Sequence, residues 1–187
     1  LIITNSKFEK NYIQDKFQLN NVICIHPPSI KNLIKKNGKN NYKKIVNIIY
    51  VGRVSKEKGI FVILNALKNL NKKYKFLFNL YGEGPERKSI EKFIKIKNLN
   101  KIVSLKGFVR DKKLIFKNAD LFINASLWEG LPNALVQSIN YNVFPICSDA
   151  PGGNIEVIKN GKLGISFKTN NEKNLQNKIT KFFINRF

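Results

Sequence analysis

The sequence predicts an α/β fold, a Rossmann-like doubly wound parallel sheet, and three observations carry that prediction. Short apolar runs of strand length alternate with stretches of helical periodicity, the pattern of a parallel α/β sheet. Runs such as Ile48-Ile49-Tyr50-Val51 are apolar on both faces, as a strand covered by helices on each side must be. Four strand-to-helix loops then carry glycines and polar side chains, all on the edge where such sheets bind ligands.

In chain order, Ile2-Ile3 reads as a strand end, and Ser6 as the cap of a helix running to about Phe17, with Glu9 completing a capping box. Val22–Ile25 reads as a strand stopped by Pro27-Pro28. Lys31 to Lys44 is polar and aperiodic, so it reads as a linker (31–44) between residues 1–30 and a domain over 45–187. Strands are expected at Ile48–Gly52, Phe76–Tyr81, Val103–Gly107, Leu121–Ala125, Phe144–Cys147 and Gly164–Phe167. Ile60, Ile63, Leu64 and Leu67 share one face of a helix; Leu131, Ala134, Leu135, Ser138 and Ile139 share one face of another, starting at about Pro132.

The formal charge of +22 raises the question of nucleic acid, but composition argues against it. Of 34 basic residues 30 are Lys, spread along the chain, and only four are Arg, the residue that reads guanine with two bonds. With 27 Asn and 25 Ile, the chain is rich in residues with A/T-rich codons, which accounts for much of the excess without a partner. A solvated Lys surface remains, with peripheral attraction to an anionic membrane as an expected side effect. No apolar run approaches the roughly 20 residues of a membrane span. Cys24 and Cys147 lie in separate apolar runs and are expected to be buried, reduced thiols, which points to a cytoplasmic compartment. With His26 the one histidine, no metal spacing is present and no metal or cofactor is expected. The chain contains no Met and starts at Leu1, so it is expected to be the interior of a longer protein.

Chemistry is written in the loops. Gly52-Arg53 ends one strand, with Lys58 just before a helix; the pair suits either a phosphate site or a capped turn with solvated cations. Gly82 and Gly84 permit a tight turn, with Pro85 expected at the first helical position. In Ser126-Leu127-Trp128-Glu129-Gly130-Leu131-Pro132-Asn133 a strand gives way to a helix whose first N–H groups face the cleft. Glu129 stands ahead of that positive end, either as a cap or as a ligand contact. Asn133 and Gln137, four apart, share a polar face close to the cleft. Asp149-Ala150-Pro151-Gly152-Gly153 follows a further strand and opens a short helix.

From about Lys44 to Phe187, the order and spacing of these motifs resemble the C-terminal, donor-binding domain of retaining GT-B glycosyltransferases of group 1, family 4 type. The resemblance implies that Arg53 and Lys58, after Gly52, clamp a donor diphosphate, and that Glu129 faces the donor sugar. It places the distal phosphate on the backbone of Gly130 and Leu131, and the nucleobase on that of Phe108 and Val109. Gly82 and Asn133 fall in the loops of the same donor site. Gln137 occupies the position where the family usually has a second Glu, which binds the ribose hydroxyls. The implied activity is retaining transfer from a nucleotide-sugar to a glycan or lipid-linked acceptor in cell-envelope or capsular polysaccharide assembly. No metal is implied, since cations and a helix end neutralise the leaving diphosphate. The first thirty residues look like the close of the acceptor domain, so the chain by itself is expected to bind nucleotide without turning over. Two alternatives stand beside this reading: another GT-B nucleotide-sugar enzyme (an epimerase or a phosphorylase), and a basic nucleic-acid or membrane module.

Overall fold

A computed structural model describes residues 1–26 and 45–185, so the linker expected at 31–44 and the Pro27-Pro28 stop lie outside the described residues. At the start, β1 (Ile2–Thr4), α1 (Lys7–Phe17) and β2 (Val22–Cys24) form a small parallel pair with its crossover helix. Ser6 Oγ accepts the Glu9 N–H at 3.2 Å, the first half of the expected box. The Glu9 carboxylate reaches back one residue further than expected, taking the Asn5 N–H at 3.4 Å.

The main sheet follows with β3 (Val46–Val51), α2 (Ile60–Leu70), β4 (Phe76–Tyr81), α3 (Arg87–Ile96) and β5 (Val103–Gly107). It continues with α4 (Lys112–Phe116), β6 (Leu121–Asn124), α5 (Asn133–Asn140), β7 (Phe144–Ser148), α6 (Asn154–Val157), β8 (Ile165–Phe167) and α7 (Glu172–Asn185). All six strands are parallel, in the order β5-β4-β3-β6-β7-β8. The chain starts in the middle, winds outward through β4 and β5, then returns to β6 on the other side of β3. That reversal opens a crevice beyond the carboxyl ends of β3 and β6, where doubly wound sheets hold ligands.

Alternation along β3 explains why its sequence has no polar face. Ile48 and Tyr50 enter a core built with Ile63, Leu64, Ile90 and Ile179 of α2, α3 and α7. Ile49 points the other way, into a core built with Ile115, Phe116 and Leu135 of α4 and α5. Both faces are dry, so both positions must be apolar.

Several expectations shift at element ends. β3 begins two residues earlier than expected, and β6 stops at Asn124 rather than Ala125. Pro132 is the residue capping α5 rather than its first turn, and Ile139 is half-buried while Asn140 is buried. Pro85 sits in the turn before α3, because Glu86 is the capping residue and donates its N–H to the Val54 carbonyl at 3.0 Å. That bond ties the two loops together and delays the helix.

The thiols also differ from the expected pair of buried groups. Cys147 lies inside β7 with no exposure, and burial, with help from Asp149, pushes its thiol up to about 12. Cys24 is half-buried on the two-stranded sheet. Ellman's reagent at about pH 8 is therefore expected to titrate one thiol in the native chain, with the second appearing only in denaturant. A Cys24→Ser variant should then show none; two reactive thiols in the native chain would mean that β7 opens readily.

Candidate functional site

A cavity of about 480 Å³ fills the crevice, within the range of small-molecule sites. The end of β3 contributes Gly52 and Arg53, and the following turn contributes Glu57 and Lys58. From the end of β6 come Asn124, Ser126, Trp128 and Glu129, and from the start of α5 come Leu131, Asn133 and Gln137. Lys112 closes one side. Seven of the sequence-predicted residues thus meet: Gly52, Arg53, Lys58, Glu129, Leu131, Asn133 and Gln137.

Gly82, Phe108, Val109 and Gly130 do not line this cavity. Gly82 instead lies behind Gly52, at φ +139°, and a Cβ there would collide with the Gly52 carbonyl. Its place is set by backbone approach between two strand ends, which only glycine allows. Phe108 is exposed beyond β5, and Val109 packs against the α4–α5 core. Gly130 faces the first segment: a Cβ would meet Glu9 Oε1 at 2.9 Å and Asn5 Oδ1 at 3.4 Å. Nearby, Glu156 of α6 accepts the Lys7 N–H at 3.0 Å and lies 2.7 Å from His26 Nε2. One carboxylate therefore fastens the start of α1 and the end of the β1–α1–β2 segment to α6.

Glu129 is no helix cap. Its Oε1 accepts from Lys58 Nζ at 2.9 Å, from Ser126 Oγ at 2.7 Å and from Asn124 Nδ2 at 3.4 Å. α5 has no side-chain cap at all, and among the described residues neither the Leu131 N–H nor the Asn133 N–H donates a hydrogen bond. The positive end of α5 is open toward the cavity. The side chains of Lys58 and Glu129 are 19% and 15% exposed, dry enough for their attraction to exceed that of a surface pair. The two residues singled out separately in the sequence thus meet as one ion pair across 71 positions.

Arg53 is exposed, and its guanidinium joins no ion pair among the described residues. The backbone beneath it is fixed. Tyr50 donates its hydroxyl to the Arg53 carbonyl at 2.7 Å, Gly52 N–H reaches the Tyr81 carbonyl at 3.0 Å, and Val54 N–H reaches Glu83 at 2.9 Å. Burial, then the charges of Glu129 and Glu57, push the Tyr50 hydroxyl up, so it stays a donor. The Ser55 hydroxyl holds the Glu57 carboxyl below its usual range.

Asn124 and Ser126 were not foreseen. The signal was present in Asn124, an amide closing the otherwise apolar strand Leu121-Phe122-Ile123 and buried in the structure. It joins a buried chain of polar groups: Asn124 Nδ2 to Asn154 Oδ1 at 3.3 Å, Asn154 Nδ2 to the Ser148 carbonyl at 3.0 Å, and Ser148 Oγ to the Ser126 carbonyl at 2.6 Å. Buried amides without partners would be costly, so this network fixes the loop that holds Glu129.

The six-stranded parallel sheet with its flanking helices matches the fold of the C-terminal domain of GT-B glycosyltransferases. The chain belongs to the family of glycosyl transferases group 1, whose model matches residues 29–186. Among curated relatives, an N-acetyl-D-galactosaminyltransferase from Campylobacter jejuni, named for an acceptor glycan on PP-undecaprenol, is 29% identical over 143 residues. The match covers 74% of this chain and 39% of that protein. The structure of S. aureus TarM in complex with UDP aligns with a TM-score of 0.85 at 23% identity, covering 98% of this chain and 37% of TarM. Anabaena HepE in complex with UDP aligns at 0.84 and 18% identity, covering 99% of this chain and 54% of HepE. At those identities the structural likeness establishes the fold. The chain spans between 31% and 50% of the length of the curated relatives it matches. Among the described residues, no helix is long and apolar enough to cross a membrane.

Proposed function

We propose that this chain is the donor half of a retaining glycosyltransferase, which moves a sugar from a nucleotide-sugar to a glycan or lipid-linked acceptor in cell-envelope polysaccharide assembly. The observation that carries the reading is the cavity itself: Arg53, in no ion pair among the described residues, the Lys58–Glu129 pair and the open end of α5 converge on one crevice. Three cations line it against two carboxylates, Glu57 and Glu129, which favours an anionic ligand.

In this reading Arg53, Lys58 and the N–H groups from Leu131 into α5 hold the diphosphate. Its charge grows as the sugar leaves, and fixed donors stabilise it without a metal. Glu129 sits where its charge stabilises positive character on the departing sugar ring. Gln137 accepts from a ribose hydroxyl, more weakly than a carboxylate would. The base extends past the end of β5, onto the backbone of Phe108 and Val109. The Lys-rich exterior adds attraction to an anionic membrane face, where a lipid-linked acceptor would reside.

The test is a melting panel of UDP, GDP and ADP, each in EDTA, on the full-length protein. One nucleotide is expected to raise the melting temperature by several degrees at about a hundred times its Kd, with transfer from the matching nucleotide-sugar persisting in EDTA. If none stabilises the protein, the donor reading fails. If transfer stops in EDTA and Mn²⁺ restores it, the charge assignment to Arg53 and Lys58 fails.

A further inference from the structure

We propose that Trp128 is a stacking platform for the donor's sugar ring, setting which sugars the site accepts. The inference rests on the donor reading above. Trp128 is the only tryptophan in the chain, and it is 60% exposed while lining the cavity. An aromatic of this size is usually drawn into a core, and this one stays at the cavity mouth. Tyr50, the other aromatic lining residue, is 2% exposed and its hydroxyl is already committed to Arg53.

The loop beneath the indole is held on both sides of it. Ser126 N–H donates to Asn124 Oδ1 at 3.0 Å, and Leu127 N–H to the Glu57 carbonyl at 2.7 Å. Glu129 N–H donates to the Pro151 carbonyl at 3.0 Å, and Gly152 packs so closely under Glu129 that any Cβ would collide with its carbonyl. Three anchored residues thus fix the backbone that carries one exposed ring, in the same cavity as the carboxylate assigned to the sugar. Nine of the other lining residues are polar or charged and match hydroxyls and phosphates, while Val51, Leu131, Pro132 and Ala134 add only small apolar contacts. A pyranose also has a face of C–H groups, and the indole is the large apolar surface the cavity offers it. A ring stacked there is oriented as well as held, because its hydroxyl pattern decides which face is apolar.

The experiment measures affinities of the full-length protein by calorimetry for UDP, UDP-glucose, UDP-N-acetylglucosamine, GDP, GDP-mannose, ADP and ADP-glucose. Wild type is compared with Trp128→Ala and Trp128→Phe. Trp128→Ala is expected to leave the nucleoside diphosphate within about twofold and to weaken the matching nucleotide-sugar about tenfold, with Trp128→Phe recovering most of the loss. Equal losses for diphosphate and nucleotide-sugar would overturn the proposal, since the indole would then serve the nucleotide or the loop. No loss for either would overturn it too, leaving the ring to an acceptor or to solvent. If wild type binds the nucleotide but Trp128→Ala changes nothing, only the platform falls; if wild type binds none of the seven, the donor reading itself has failed.

Discussion

Glu129→Gln is expected to slow sugar transfer by on the order of a hundredfold, with nucleoside-diphosphate affinity close to wild type. The substitution keeps size and shape but removes the charge that, in the proposed donor reading, faces the developing cation, a loss of about 2.7 kcal/mol in the barrier. It also leaves Lys58 without its partner in a site where that side chain is 19% exposed, so the melting temperature is expected to fall by a few degrees. Stability loss alone must therefore be separated from lost chemistry. Ser126→Ala serves as the control, because it deletes the 2.7 Å bond to the same carboxylate oxygen and keeps the charge. It should cost about 1 kcal/mol of stability and leave turnover within about tenfold. The measurements are single-turnover transfer, calorimetry and thermal melts on the full-length enzyme. If Glu129→Gln melts lower yet turns over like wild type, Glu129 is an ion-pair partner for Lys58 and nothing more.

The sheet was legible because its physics is local. A strand covered on both faces has to be apolar throughout, so Ile48-Ile49-Tyr50-Val51 announces β3 without any knowledge of its neighbours. The ends were less legible because they depend on bonds between loops. Pro85 has the right chemistry for a helix start, yet Glu86 N–H is claimed by Val54, more than thirty residues away. The site shows the same division. Glu129 and Lys58 each stood out, but nothing in either loop says that they meet, and the reading of Glu129 as a cap rested on chain adjacency to α5. Asn124 was overlooked because pattern reading counts it as a strand end, whereas its partners Asn154 and Glu129 come from the start of α6 and from the loop after β6. Single residue types with strong chemistry survive translation into space; pairings across strands do not show in sequence.

Arg53→Ala is expected to weaken nucleoside-diphosphate binding by about 2 kcal/mol, roughly thirtyfold, the scale of a lost charged hydrogen bond pair. Arg53 differs from Lys58 in what it does without ligand. Lys58 is committed to Glu129 at 2.9 Å, whereas the Arg53 side chain is exposed and joins no ion pair among the described residues. Removing it costs the fold little, so the melting temperature without nucleotide should stay within about a degree. The loop keeps its shape in the variant because its anchors are backbone atoms: the Arg53 carbonyl on the Tyr50 hydroxyl, Gly52 on Tyr81 and Val54 on Glu83. A change in affinity therefore reports the guanidinium rather than a collapsed loop. Arg53→Lys should recover only part of the loss, since an ammonium cannot meet two phosphate oxygens as a planar fork does. The affinity difference between wild type and Arg53→Ala should also shrink as salt is raised, because the site is open to solvent. Calorimetry with the nucleotide that stabilises the full-length protein decides the matter. Equal affinity in Arg53→Ala and wild type would remove Arg53 from the diphosphate site and leave that anion to Lys58 and the open end of α5.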